Sequence, residues 1–314
     1  MNSFALWFDK GEQDKNFEAD IHFNLWNIHN YKAQPVSLDV GIKIYAPKGY
    51  SKVNFYIPWE IKKESIVDLA EHLKESKMLC TVFNEDCEVT QEAQSKILHV
   101  TNTKHDLDLN IYCLDVKNDI TIENKYEGTL ISFSRPRQLK DSDTTEYFRF
   151  RINSKGFKNI IKSYSPDNVF FQSAISITEA VDFRFNDYRS LPSSLLEIMR
   201  DSVSYQIGKV HFLLLTESYV DLQYSSISPT ARELEKDTWK DYYPNIGKKN
   251  IVAYHWKFKS KKDAKLIENC IMFVKTKVSK CNWKTILLYV LAAGFISVLY
   301  DFIYDLLKGL GGII

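Results

Sequence analysis

Basic side chains alternate with aromatic ones along several short stretches of this sequence, and they are the side chains best suited to bind a phosphorylated ligand. Residues 147–151 read Tyr-Phe-Arg-Phe-Arg, which places Arg149 and Arg151 on one face of a strand and the phenylalanines on the other. Arginine forks bind phosphate oxygens, and aromatic rings stack on bases. The candidate ligand-binding residues are Arg135, Arg137, Arg149, Arg151, Arg184, Lys209, His211, His255 and Lys257. We expect them to form a cytosolic pocket for a nucleotide or a short single-stranded oligonucleotide.

The same alternation also has a purely structural interpretation. An amphipathic strand in a half-buried sheet places phenylalanine inward and arginine outward, where an acidic neighbour pairs with it. Residues 1–256 carry a net charge of −5. This charge excludes a broad surface for duplex nucleic acid but is compatible with a local cationic pocket. Both interpretations remain open on the sequence alone.

Motifs of catalysis are mostly missing. The sequence contains no GxxxxGK[ST], GxSxG or HExxH motif and no CxxC pair among its five cysteines. We therefore expect no enzyme, no bound metal and no cofactor. His22 and His29 are the nearest pair for a metal, but ordinary strand histidines are the expected interpretation. Asp115, Glu123 and Lys125 resemble the carboxylates and lysine of a Mg²⁺ site, so a membrane-tethered metal-dependent nuclease remains an alternative.

Residues 283–308 predict one membrane-spanning helix. Ile286–Tyr300 contains no charged residue, and Asp301 and Asp305 follow within a stretch that stays apolar through Leu307. At 1.5 Å per residue, positions 286–307 span about 33 Å, close to the ~30 Å of a hydrocarbon core.

Small and polar residues recur in this helix at spacings of three and four. We call Gly294, Ser297, Asp301 and Tyr304, together with Asp305, the seam. Small residues let helices approach closely, and a carboxylate within a bilayer faces a partner helix or water. We expect a homo-oligomer in which the aspartates line a cation-conducting pore. The alternative is a simple anchor whose aspartates lie among the far headgroups.

Lysines crowd the segment before the helix. From Lys257 to Lys284 there are nine lysines against Asp263 and Glu268, a net charge of +7. By the positive-inside rule this side is cytoplasmic, which predicts a cytoplasmic body and a C-terminus that crosses the inner (plasma) membrane. Residues 260–282 predict a basic amphipathic helix that attracts anionic membrane lipid.

The rest of the chain predicts an α+β fold, a strand-rich cytosolic body with antiparallel sheets and a few helices, followed by the single transmembrane helix. Period-two alternation is strongest in two stretches, 17–25 and 36–44. The polar loop 134–145 predicts a boundary between residues 1–133 and a second α+β region, 146–258, although the two regions also fit a single body. Among the shorter elements, we expect helices at Ser65–Glu75 and Pro229–Tyr243 and a strand at Leu79–Phe83.

This layout resembles the membrane effectors of bacterial antiviral defence systems, and most closely the oligonucleotide-gated channel effectors of the Hailong type. The resemblance is carried by the strand-rich body, the juxtamembrane lysines and the terminal span ILLYVLAAGFISVLYDFIYDLL with its two carboxylates. It is a resemblance of architecture over the whole chain, and it assigns no site residue. It implies homo-oligomerisation, gating by a ligand and growth arrest on opening. A tail-anchored scaffold or receptor without a pore is the alternative.

Overall fold

Alternating apolar and polar residues fold most of this chain into strands. The computed structural model describes residues 3–13, 16–29, 36–83, 86–102, 107–139, 143–164, 176–247, 249–259, 267–279 and 283–311. The strands in these ranges are β1 (Ser3–Lys10), β2 (Phe17–Trp26), β3 (Val36–Tyr45), β4 (Tyr50–Ile57), β5 (Ile66–Asp68), β6 (Glu88–Thr90), β7 (Ile97–Asn102), β8 (Leu107–Tyr112), β9 (Ile120–Lys125), β10 (Gly128–Ser134), β11 (Thr145–Ser154), β12 (Ile161–Tyr164), β13 (Ser176–Phe185), β14 (Tyr205–Glu217), β15 (Val220–Ser225), β16 (Thr230–Glu233), β17 (Ile251–Lys259) and β18 (Cys270–Ser279). The α-helices are α1 (Ser76–Phe83), α2 (Ser193–Arg200), α3 (Lys236–Tyr242) and α4 (Trp283–Gly311). The expected α+β fold class is confirmed.

The strands form two mixed sheets. The smaller has the order β15-β18-β13-β1-β4-β10-β9, with β12 added beside β13. The larger has the order β16-β17-β14-β2-β3-β11-β8-β7-β6, with β5 added beside β11. Most neighbours are antiparallel, as expected, while β1/β13, β2/β14 and β8/β11 are parallel pairs.

Aromatic side chains join the two sheets face to face. Phe183 of the smaller sheet lies 4.6 Å from Phe212 and 4.9 Å from Phe23 of the larger, measured between ring centroids. Phe55 and Phe150 make a similar contact at 6.0 Å. All five rings are fully buried, and each such pair contributes about 0.5–1.5 kcal/mol beyond its buried area. The main core therefore lies between the sheets.

The outer face of the larger sheet is partly covered by α1, α3 and the 3₁₀ turn Ala70–Lys74, which bury a second apolar cluster around Trp26 and Tyr147. Helix α2 covers a smaller patch on the outer face of the other sheet. Elsewhere these outer faces carry the polar residues of each strand. The two polar surfaces therefore lie on opposite sides of the apolar core.

Both sheets take strands from both sides of residues 134–145. Strand β1 pairs with β13, and β2 pairs with β14. The regions 1–133 and 146–258 therefore contribute to the same two sheets and form one body, the second of the arrangements that the sequence allowed.

Three short elements differ from expectation. Residues 65–75, expected as a helix, contain strand β5, which pairs with β11, followed by the 3₁₀ turn. Residues 79–83, expected as a strand, belong to α1. The helix expected at 229–243 is shorter, because residues 230–233 pair with β17 as strand β16 before α3 begins. In each case, pairing or coverage by a distant part of the chain overrides the local pattern.

The prediction of a basic amphipathic helix over residues 260–282 is wrong for the part of this segment that the structure describes. Residues 270–279 are strand β18, which pairs with β13 on one side and β15 on the other. Its buried residues alternate from Cys270 to Val278, so Lys275 and Lys277 lie on an exposed strand face. Residues 260–266 and 280–282 lie outside the described ranges.

Helix α4 is one continuous helix, and its stretch Tyr289–Lys308 is long and apolar enough to cross a membrane. Large apolar side chains such as Phe295 and Phe302 are about two-thirds exposed. The body therefore does not bury α4, which distinguishes it from the core helix of a soluble protein. The five seam residues are all exposed on it.

A buried charge cluster joins the two sheets at one end. His29 hydrogen-bonds Glu179 of the smaller sheet and Glu217 of the larger, each at 2.9 Å. Lys249 also pairs with Glu217. Burial alone would lower the pKa of His29, but the two carboxylates outweigh it and raise this pKa from 6.5 to about 9. Burial would raise the pKa of Glu217, but His29 and Lys249 lower it to about 2.

These shifts predict a specific pH dependence of stability. A raised histidine pKa stabilises the fold fully below pH 6.5, and this contribution is lost as the pH rises through about 9. We expect up to about 3 kcal/mol of unfolding free energy to disappear over that window. Denaturant unfolding at several pH values measures it. His29→Gln should flatten this part of the profile. His99→Gln, which removes a histidine bonded to Asn110 rather than to a carboxylate, should leave it unchanged.

Candidate ligand-binding cleft

The strand register of the larger sheet lines up chemically matched residues in rows across its outer face. One row runs Lys257, His211, His22, Gly41 and Arg149 across β17, β14, β2, β3 and β11. The next row runs Lys259, Lys209, Asp20, Lys43 and Tyr147 across the same strands. These rows bring side chains from five separate stretches of sequence onto one surface.

Gly41 leaves a gap in the first row that neighbouring side chains occupy. A Cβ atom added at Gly41 would overlap the Tyr147 hydroxyl and lie 3.2 Å from Arg149 Nη1. Arg149 Nη1 donates to that hydroxyl at 2.7 Å. The missing side chain therefore lets the Arg149 guanidinium lie over β3 towards His22.

A bulge at Gly208 sets which residues of β14 face outward. Ile207 aligns with Ala19 and Lys209 with Asp20, so Gly208 is an extra residue without a partner on β2. Ile207 and Val210 are then both buried although they are three residues apart. Lys209 faces outward, where its Nζ donates to Asp20 at 3.1 Å.

The rows form the floor of a cleft of about 540 Å³. Its walls are the end of α1 at Thr81–Phe83, strand β16 and Trp239 of α3. Its charged lining residues are five cations and one carboxylate: Lys43, Arg149, Lys209, Arg232, Lys257 and Asp20. The cleft is therefore locally cationic, in a chain whose net charge is only +1.

Three histidines, His22, His211 and His255, cross the middle of the cleft. His211 Nδ1 and His255 Nε2 share a hydrogen bond of 3.0 Å, and the rings of His211 and His22 meet edge to face at 4.8 Å. Burial, then His255 and Lys257, lower the pKa of His211 to about 4. Burial and the surrounding cations also lower the pKa of His22 and of His255. All three are therefore neutral at pH 7, and an anion beside them would raise their pKa values.

Arg149 is held from beneath by a buried polar network. Its Nε donates to the Tyr242 hydroxyl at 2.6 Å, and with the Asn24 amide oriented to accept, Nη2 donates to Asn24 at 2.7 Å. Tyr242 in turn donates to Asp39 at 2.9 Å. Only 1% of Arg149 is exposed, so it belongs to the floor of the cleft.

The structure thus brings together five of the nine candidate ligand-binding residues: Arg149, Lys209, His211, His255 and Lys257. The other four have separate surroundings. Arg151 pairs with buried Asp39, Arg135 pairs with buried Glu146, and Arg184 pairs with Asp182. Arg137 lies exposed in a 3₁₀ turn outside the cleft. The structural interpretation of the alternating pattern describes Arg151 and Arg184, which lie on strands, whereas Arg135 follows the end of β10.

Asp20, Lys43 and Arg232 were not predicted as site residues from the sequence, and His22 was not predicted to lie in the cleft. Asp20, His22 and Lys43 lie on the polar faces of β2 and β3, which the period-two alternation does show. Their position beside β14 depends on the parallel β2/β14 pair, which no local pattern indicates.

The residues of the two candidate metal sites lie in different surroundings from those expected. His22 lies in the cleft, whereas His29 lies in the charge cluster between the sheets. Asp115 accepts hydrogen bonds within its own turn from Lys117 and Asn118, and Glu123 pairs with Lys125. Within the described ranges, no group of three or more His, Cys, Asp or Glu side chains is arranged to hold a metal ion.

Comparison with known proteins adds no family to this description. Neither the protein-family models nor the curated protein sequences contain a match to this chain.

Filling the gap at Gly41 should disturb the floor of the cleft. We expect Gly41→Ala to lower the unfolding free energy by about 1–3 kcal/mol, because the new methyl group displaces the fully buried Tyr147 and its bond to Arg149. Denaturant unfolding measures this change. Thr121→Ala, at an exposed position of strand β9, is the control. Equal stability of the two variants would contradict this account of the floor.

Proposed function

We propose that this protein is a ligand-gated membrane effector of antiphage defence. Its cytoplasmic body binds a nucleotide or a short single-stranded oligonucleotide in the cleft. Helix α4 anchors each copy in the inner membrane, and the α4 helices of several copies assemble into an ion-conducting pore. The resemblance to oligonucleotide-gated channel effectors supports the link between these two parts.

The observation that carries the ligand proposal is the concentration of positive charge in the cleft. Burial lowers the pKa of Lys257, and the like charges of Lys259 and Lys209 lower it further. Crowded cations are unfavourable in the free protein and are relieved by an anion. They also oppose binding of a metal cation by the three histidines. Phosphate oxygens form strong charge-assisted hydrogen bonds with such lysine and arginine groups.

The shape of the cleft suits a nucleotide-sized ligand. Its volume of about 540 Å³ lies within the ~300–1,000 Å³ of small-molecule sites. Tyr45, Phe83 and Trp239 are among its lining residues and offer aromatic surface to a base. Arg232 and Lys257 are the exposed cations of the set, and we assign them to the phosphates.

The pore proposal is supported by the length of α4 and by the seam. Gly294, Ser297, Asp301 and Tyr304 are spaced three and four residues apart on a continuous helix, so they share one face. A single helix encloses no channel, so conduction requires several copies. The excess of lysines before α4 supports a cytoplasmic body, by the positive-inside rule.

Loss of the exposed cleft cations should weaken ligand binding. We expect Arg232→Gln and Lys257→Gln each to reduce the affinity for a fluorescent short single-stranded oligonucleotide of mixed sequence by about tenfold. Fluorescence anisotropy measures the affinity, with tripolyphosphate as competitor. Since an anion raises the histidine pKa values, binding should also strengthen as the pH falls from 7.

Arg137→Gln and Lys77→Gln are the matched controls, because both remove an exposed cation outside the cleft. They should bind as the wild type does. If all four variants lose affinity equally, the oligonucleotide is held by general charge and the cleft is not its site.

The aspartates of the seam should determine conduction. We expect Asp301→Asn with Asp305→Asn to reduce the selectivity for K⁺ over Cl⁻ in reconstituted liposomes, because the pore loses its negative lining. Ion-flux and reversal-potential measurements report it. Asp241→Asn in α3, a carboxylate of the body, is the control. If the ion selectivity of the double variant equals that of the wild type, the aspartates do not line the pore.

Exchange of α4 for an unrelated single-pass helix distinguishes the pore hypothesis from the anchor hypothesis. A tail-anchored receptor or scaffold would keep its cellular activity after the exchange, whereas a pore would lose it. Binding of the oligonucleotide to the cleft should survive the exchange in both cases.

A further inference from the structure

Strand β18 leads almost directly into α4. It ends at Ser279, and α4 begins at Trp283. Four Cα–Cα steps span at most about 15 Å. The C-terminal end of β18 therefore lies within about 15 Å of the point where α4 begins, whatever path the intervening residues take.

The exposed side of the sheet at this end of β18 is basic and aromatic. Lys275 aligns with Ala180 and Lys277 with Thr178, and beyond them on β12 lie Lys162 and Tyr164. Tyr224 of β15 aligns with Lys275 on the other side. We call Lys162, Tyr164, Tyr224, Lys275 and Lys277 the outer basic face. The two tyrosines are 53% and 54% exposed, and the three lysines are exposed too.

The carboxylates that the structure describes near this face do not neutralise it. Asp221 aligns with Lys277 and is the acidic neighbour there. Glu179, although on β13, is buried and bonded to His29 between the sheets. Asp182 pairs with Arg184 at 2.8 Å. Among the residues that the structure describes, three lysines thus share the face with one exposed aspartate at their edge.

We propose that the outer basic face rests on the anionic headgroups of the bilayer that α4 crosses. This inference relies on the membrane anchoring by α4 in the proposed function. Lysine is attracted to an anionic membrane surface, by about fivefold in the local equilibrium for each residue. Tyrosine favours the headgroup level because its ring is apolar and its hydroxyl polar. A second copy of the same face is a poorer partner, because the lysines repel each other.

This placement keeps the cleft open to the cytoplasm. The cleft lies on the outer face of the larger sheet, on the opposite side of the core from the outer basic face. Along β14, Lys209 is eight residues from Glu217, or about 26 Å. Glu217 is followed closely by Val220, which aligns with Val278 near the exit to α4. Lys209 and Lys257 therefore lie towards the end of the cleft farther from the exit to α4, whereas Arg232 aligns with Ala253, opposite Leu215, and lies nearer to it.

Lysine footprinting of the full-length chain tests the outer basic face. The chain is reconstituted in lipid nanodiscs of phosphatidylcholine with or without phosphatidylglycerol, acetylated with a water-soluble reagent and analysed by mass spectrometry. We expect Lys162, Lys275 and Lys277 to react at least about threefold more slowly in the anionic discs. Exposed Lys77 and Lys236, on the helices of the opposite side, should react equally in both.

A charge-reversal pair makes the test specific. In the variant Lys275→Glu with Lys277→Glu, Lys162 should lose its protection, whereas Lys77→Glu with Lys236→Glu should leave it intact. A chain inserted in the discs whose three lysines react equally in both lipids would overturn the inference and leave the anchoring intact. Protection that is the same in both lipids would indicate a protein contact and overturn it as well. A chain that does not enter the discs would refute the anchoring itself.

Discussion

A buried carboxylate, Asp39, organises the side of the molecule on which the cleft lies. It is fully buried, and Arg151 donates to both of its oxygens, at 2.6 and 3.1 Å. Trp26 and Tyr242 donate to it as well, at 2.8 and 2.9 Å. A buried carboxylate is tolerated only when such donors surround it, and removing one member of a buried ion pair costs about 3–5 kcal/mol.

The hydrogen bonds to Asp39 link the fold of the larger sheet to the geometry of the cleft. Tyr242 belongs to α3, so its bond to Asp39 fixes α3 on the outer face of the larger sheet. The same hydroxyl accepts from Arg149, which places the guanidinium on the floor of the cleft. Trp239, one turn earlier on α3, is part of the cleft wall. A polar network that stabilises the core therefore also positions residues that line the cleft.

The two outer faces divide the chemistry of the body. A layer of aromatic rings between the sheets separates the cationic cleft on one side from the lysines and tyrosines near α4 on the other. In the proposed function this arrangement lets the protein meet a soluble ligand and a membrane at the same time. The charge cluster of His29, Glu179 and Glu217 ties the sheets together at the end where β14 passes towards β15. A signal between cleft and membrane would have to cross this end or the aromatic layer.

Local sequence pattern accounted for the strands whose two faces differ in polarity and for the terminal helix. It correctly predicted that Phe148 and Phe150 face inward while Arg149 and Arg151 face the other way. It failed in residues 270–279, because Cys270, Val274 and Val278 fit a helical stripe and a strand alternation equally well. Pairing with β13 and β15 decides between them. It also failed at residues 79–83, where an apolar run too short to show its period belongs to a helix.

By itself, then, the sequence determined the strand-rich α+β body, the long apolar helix at the end and a pool of basic residues with a tendency to face outward. Only the tertiary structure decided which of those residues share a surface. The alternation within one strand is a local property, whereas the row from Lys257 through His211 and His22 to Arg149 depends on strands far apart in the chain. The bulge at Gly208 and the parallel β2/β14 pair set that register, and both are stabilised by the core between the sheets rather than by any neighbour in the sequence.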